Sequence, residues 1–278
     1  NSMGIALNDK GDLKEAIDCY RWAISLKTNY ANAHCNLGNA LKDKGDLDGA
    51  IDSYKQAIIA KPDYADAYQN MGVALQNKGD LEAAINSYEQ ALIIKPNSFE
   101  AYNNMGVALH DKGDIDSAIG SYQQAIKINP DFAEAYNNIG LSMRSKGDLE
   151  AAIDSYKKAI KINPDYAEAY NNIGNALNDK GDIAAAIKSY EQALKIKPDY
   201  AEAYNNMGAA LQGRGDVEAA IDSLKKALKI NPDYAEAHNN MGFSLNGKGD
   251  LDSAIDSYTK ALKIKPDFAE AFYNLSFP

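Results

Sequence analysis

The sequence is poor in the residues that build catalytic centres and stapled folds. Cys19 and Cys35 are its only cysteines among 278 residues. Two thiols cannot cross-link a chain of this length, so a reducing compartment, such as the cytoplasm, is expected. Histidine is equally scarce: His34, His110 and His238 stand far apart. None has a partner constellation, which leaves neither a zinc site nor nucleophilic catalysis supported. We expect no cofactor and no enzymatic activity. Basic residues are in the minority, with 29 Lys and Arg against 39 Asp and Glu and a net charge of −10. A phosphate-tracking surface needs clustered positive charge, so nucleic acid is not an expected partner. The negative balance instead favours solubility and steers basic partners. No apolar run approaches the length of a membrane span, and no signal-like segment opens the chain.

What is present is a period. Glycine stands at 11, 45, 79, 113, 147, 181, 215 and 249, always 34 residues apart, and proline follows the same beat from 62 to 266. A strict period of this length predicts stacked helix–turn–helix units that cannot bury their apolar faces alone. Residues 165 to 198 show one unit. Tyr170, Ile173, Gly174 and Leu177 lie at i, i+3, i+4 and i+7, the spacing of a helical face. Asp165 suits the N-cap, and Glu168 three residues on suggests a capping box. Gly181 can take the left-handed conformation that ends this helix, and Asp182 can cap the next. The second helix carries Ile183, Ala186, Ile187, Tyr190, Ala193 and Leu194, and Pro198 forbids its continuation. A second glycine series, Gly38 to Gly242, lies mid-helix at a cost of about 1 kcal/mol each against alanine. Close approach of the paired helix, with the Ala50 to Ala254 series facing it, is the expected reason.

The resulting reading is one solenoid over 1–278. It starts with a partial repeat, 1–30, and continues through full repeats 31–64, 65–98, 99–132, 133–166, 167–200, 201–234 and 235–268. A partial first helix, 269–278, follows. Met3 aligns with Met71, Met105, Ile173 and Met207, so the chain is expected to be a piece of a longer protein.

Tyr170, Ile173, Gly174, Leu177, Ala186, Tyr190, Ala193 and Pro198 fill the eight signature positions of the tetratricopeptide repeat (TPR), which the chain resembles over nearly its whole length. Tyr stands for the usual Trp and Leu for the usual Tyr. Local departures are Thr28 for Pro, Leu224 for Tyr, and His34 and His238 at the bulky aromatic position. The resemblance implies an all-α, right-handed superhelix with first helices lining a concave groove.

One surface position repeats without an evident packing reason: Asn36, Asn70, Asn104, Asn138, Asn172, Asn206, Asn240 and Asn274. Copying by recent duplication would make neighbouring positions equally uniform. Three residues on, however, the series drifts through Asn39, Val73, Val107, Leu141, Asn175, Ala209 and Phe243. An amide offers one acceptor and two donors, so such a ladder can pair with the backbone of an extended peptide. With first helices about 10 Å apart and an extended chain rising roughly 3.3 Å per residue, eight rungs would follow on the order of 20 residues. Val73, Val107, Leu141, Asn175, Ala209 and Phe243 would set specificity, and Asn137, Asn171 and Asn205 would add polar reach. The ladder is similar to that of the TPR region of O-GlcNAc transferases, which implies a substrate-recruiting arm of a glycosyltransferase as an alternative. The lysine clamp of chaperone-tail-binding TPR domains is missing, because Cys35, Gln69, Asn103 and asparagines occupy its position.

The expected partner is therefore an extended peptide or unstructured protein segment. Trp22 replaces solvent-suited residues such as Gln56 and Gln90, which suggests contact with another segment or subunit. Apolar residues at the ends, Met3, Ile5, Leu7 and Leu13 against Phe272, Leu275 and Phe277, suggest head-to-tail self-association, in which case the chain serves as a scaffold.

Overall fold

The computed structural model describes residues 1–276, apart from the side chain of residue 9. Among these it contains seventeen α-helices and no strand. They divide into two compact units meeting between Ser142 and Met143. The first unit holds α1 (Ser2–Asp9), α2 (Leu13–Leu26), α3 (Ala31–Asp43), α4 (Leu47–Ala60), α5 (Ala65–Lys78), α6 (Leu81–Ile94), α7 (Phe99–Lys112) and α8 (Ile115–Ile128). The boundary falls inside α9 (Ala133–Ser145). The second unit continues with α10 (Leu149–Ile162), α11 (Ala167–Asp179), α12 (Ile183–Ile196), α13 (Ala201–Arg214), α14 (Val217–Ile230), α15 (Ala235–Lys248), α16 (Leu251–Ile264) and α17 (Ala269–Ser276).

Within each unit consecutive helices pack as antiparallel neighbours, and the turns between them follow from two residue types. Gly181 has φ +83°, and all eight glycines of its series are left-handed, a conformation other residues adopt at a cost. The aspartate that follows caps the second helix: Asp182 Oδ1 accepts from the Ala185 N–H at 3.1 Å, and Asp46, Asp80, Asp114, Asp148 and Asp250 do the same. Asp12 and Asp216 are the exceptions: neither side chain caps its helix, and Arg214 bonds the Asp216 carboxylate. The first helices start differently from the sequence expectation. The helix of residues 167–179 has Tyr166 at its N-cap with no side-chain bond, so Asp165 does not cap it. Glu168 is correspondingly no capping-box partner and lies 3.6 Å from Lys197.

The core also corrects the account of the mid-helix glycines. A Cβ at Gly174 would stand 2.4 Å from the Tyr190 ring, and one at Gly38 would stand 2.6 Å from that of Tyr54. The alanine series is fully buried, as Ala50 and Ala186 show, but the aromatic ring of the second helix is what excludes a side chain. Glycine's helix cost is offset by burying a whole tyrosine: Tyr54, Tyr88 and Tyr190 are at most 1% exposed. At Gly208 the neighbour is Leu224, whose Cγ would lie 2.7 Å away.

Candidate functional site

The first helices touch one another within each unit, α3 with α5 and α5 with α7, and then α11 with α13, α13 with α15 and α15 with α17. That succession places the recurring asparagines at equivalent points of adjacent helices, and all eight are half-buried. Their amides bond between repeats. Asn206 donates to Asn171 Oδ1 at 3.1 Å, Asn240 to Asn205 Oδ1 at 2.9 Å, and Asn274 to Asn239 Oδ1 at 3.1 Å. In the first unit Asn138 donates to Asn103 Oδ1 at 3.0 Å and Asn36 to Asn1 Oδ1 at 3.1 Å. Each acceptor lies 35 residues earlier, one position before the ladder residue of the preceding repeat.

The acceptors are not groove residues. Asn137, Asn171 and Asn205, expected to add polar reach, are only 5%, 0% and 6% exposed. Asn171 donates to Glu202 Oε1 at 3.3 Å, and Asn103 to Glu134 Oε1 at 2.9 Å. A buried amide must find partners. The pairing of the residue before the ladder with the ladder residue of the next repeat meets that demand. Part of the asparagine recurrence therefore has a structural cause that spacing within one helix could not reveal. Where asparagine is not the backing residue, the pairing changes. Asn70, with Cys35 in that register, donates to Asn39 Oδ1 at 3.1 Å and also bonds the Cys35 thiol. Asn104, with Gln69 there, makes no side-chain hydrogen bond among the described residues.

The drifting positions separate into two groups. Val73, Val107 and Leu141 are half-buried, and Asn175 accepts from the Tyr190 hydroxyl at 2.8 Å. Ala209 and Phe243 are exposed, Phe243 at 51%. In the second unit these two line a cavity of about 280 Å³ together with Asn240, Asn274, Gln212 and Glu270. On the other side of the same unit, two cavities of about 610 and 630 Å³ repeat at 34-residue register. Lys226, Lys229 and Ile230 line one, and Lys260, Lys263 and Ile264 the other.

The remaining titratable groups serve packing. Burial pushes the Cys35 thiol and the Tyr54, Tyr88, Tyr122 and Tyr190 phenols above their ordinary values. His34 and His238 are half-buried, and each bonds a loop carbonyl, Thr28 O at 2.8 Å and Pro232 O at 2.9 Å. Trp22 is 69% exposed. Met3 and Phe272 are also exposed, at 68% and 65%, whereas Phe277 lies outside the described residues. No described helix is long and apolar enough to cross a membrane.

Paired helices, a left-handed glycine turn and a 34-residue register define an all-α repeat protein. Family models agree. The TPR repeat matches residues 4–45, 38–79, 77–113, 106–143, 140–177, 174–215 and 213–247, and the tetratricopeptide repeat matches 235–268. The chain belongs to the TPR family and is a protein–protein interaction module. Among solved structures it is similar to a chain of the APC/C hetero-tetramer Cut9–Hcn1, with a TM-score of 0.72 at 17% identity, covering 95% of this chain and 52% of that one. It is also similar to yeast Tom70, with a TM-score of 0.73 at 18% identity, covering 95% and 57%. MamA is 33% identical with a TM-score of 0.53, covering 58% of this chain and 95% of that one. The chain thus spans about half the length of the first of these. No curated protein matches the sequence.

Proposed function

We propose that the first-helix faces hold an extended polypeptide, with the asparagine series hydrogen-bonding its backbone. The observation that carries this reading is the state of the ladder amides. Asn206, Asn240 and Asn274 each give one N–H to a neighbouring repeat. A primary amide has two N–H donors and two acceptor lone pairs. Each of these residues therefore keeps a donor and at least one lone pair for a peptide N–H and C=O. The inter-repeat bond strengthens the proposal, because it holds the amide in one orientation and lowers the entropy cost of binding. Side-chain selectivity falls to the exposed members of the drifting series, Ala209 and Phe243.

Calorimetric titration with an extended peptide of about 10 residues, the reach of the four rungs of the second unit, tests the reading. Asn206→Ala with Asn240→Ala should weaken binding by about fivefold or more at a temperature where circular dichroism shows the variant folded. Lys158→Ala with Gln192→Ala, on the second helices, should leave affinity unchanged. Undiminished binding by the ladder variant, or equal loss in the outer variant, overturns it.

A further inference from the structure

The cavity between α13, α15 and α17 has features that backbone recognition does not require. Phe243 exposes half its surface there. In the α11–α12 repeat the same register is Asn175, which accepts from the Tyr190 hydroxyl at 2.8 Å. In the Phe243 repeat the corresponding Tyr258 hydroxyl is buried with no partner. An orphaned buried hydroxyl and an exposed ring both cost stability, and no packing gain from the ring accompanies them.

Gln212 Oε1 and Ser244 Oγ are buried without partners, and Ser244 is 0% exposed. Asn240 and Asn274 have each committed an N–H to the preceding repeat, and their Oδ1 atoms receive no bond among the described residues. Glu270 completes the lining. Glu134 and Glu202, its counterparts in other repeats, accept from buried asparagines, but Glu270 has no such bond and no ion-pair partner among the described residues. No Lys or Arg lines the cavity. The space is thus lined by the Asn240 and Asn274 amides, one carboxylate and an aromatic ring, with Gln212 Oε1 and Ser244 Oγ unpaired beneath its surface.

We propose that this cavity receives the guanidinium of an arginine carried by the extended segment. The proposal rests on the ladder reading, which brings that segment's backbone alongside Asn240 and Asn274. A guanidinium presents five N–H donors in a rigid plane, enough for several separated acceptors at once, and it stacks on aromatic faces. Glu270 adds a charge-assisted bond, and the net charge of −10 draws a basic segment in. A lysine ammonium has three donors at a single point and cannot span the same set.

Fluorescence anisotropy with labelled 20-residue Ala/Ser peptides, carrying one central Arg, Lys or Gln, tests the assignment. The Arg peptide should bind about tenfold more tightly than the Gln peptide, with Lys between them. Phe243→Asn places in α15 the residue this register already uses at Asn175, and should keep or raise the melting temperature by giving Tyr258 an acceptor. Phe243→Asn and Glu270→Gln should each reduce the ratio of Arg-peptide to Gln-peptide affinity. Equal binding of the Arg and Gln peptides overturns the arginine assignment and leaves the ladder intact. An Arg preference that survives both Phe243→Asn and Glu270→Gln places the recognition elsewhere and also overturns it. Failure of all three peptides to bind removes the ladder reading and this inference with it.

Discussion

The two units share a framework but back their asparagines differently. In the second unit the residue before the ladder is Asn171, Asn205 and Asn239, each of which accepts from the next ladder residue, and then Tyr273 in the final partial repeat. In the first unit that register holds Asn1, Cys35, Gln69, Asn103 and Asn137, and Asn1 and Asn103 accept from the next ladder residue as those of the second unit do. The second helices vary along the chain as well. Ile59 and Ile93 are 70% and 71% exposed, and Lys127, Lys161, Lys195, Lys229 and Lys263 hold the same register further on. Surface positions on the second helices exchange apolar for charged residues because nothing packs on them. A backing residue cannot be exchanged without altering a bond, because it is buried and its amide needs partners.

The largest contrast should come from alkali. Burial raises the phenol pKa of Tyr54, Tyr88 and Tyr122 in the first unit, whereas the same register in α14 holds Leu224, which has nothing to ionise. A phenol whose folded pKa exceeds its unfolded value contributes stability that is fully present below about pH 10 and lost as pH rises toward the folded pKa. Hydrogen exchange should therefore show constant protection up to about pH 10, then earlier loss in α4, α6 and α8 than in α14. Uniform loss along the chain would refute that ordering.

Next in size is the backing residue itself. Asn171→Ala removes a buried amide that donates to Glu202 and accepts from Asn206, at a cost of about 2–3 kcal/mol. Gln69→Ala, at a half-buried site whose amide oxygen accepts only from Ser98, should cost less than about 1 kcal/mol. Denaturant midpoints of the two variants measure the difference, and equal midpoints would mean the backing bonds contribute nothing. The smallest effect sharpens the same comparison. Asn206→Ala strands the buried Asn171 carbonyl oxygen and should cost about 1–2 kcal/mol, against about 0.5 kcal/mol or less for Asn104→Ala, which breaks no side-chain hydrogen bond among the described residues. A melting temperature equally lowered in both would reverse the reading.

From the residues alone the asparagine series showed no evident packing reason, and the structure supplies one for Asn138 and Asn206. The amides in fact connect repeats, because the residue 35 positions away is brought beside them by stacking. The same kind of long-range placement explains Gly174 and Tyr190. Both positions are periodic and were legible as such, but which atom excludes a side chain at the glycine depends on how the second helix is rotated. Asp165 failed as a cap for a local reason: the helix starts two residues later, at Ala167, and Asp165's own N–H is held by Asn163 Oδ1 at 3.1 Å.

Sequence alone determined the repeat, its helix pairs, the glycine–aspartate turn and the recurrence of one amide, since these depend on backbone conformation and on contacts within a few residues. Tertiary structure decided which amides are buried, which repeat each one bonds, and where the ladder meets an exposed ring and unpaired oxygens. Those features arise between side chains some 30 to 70 residues apart, and only the stacking of helix on helix sets their distances.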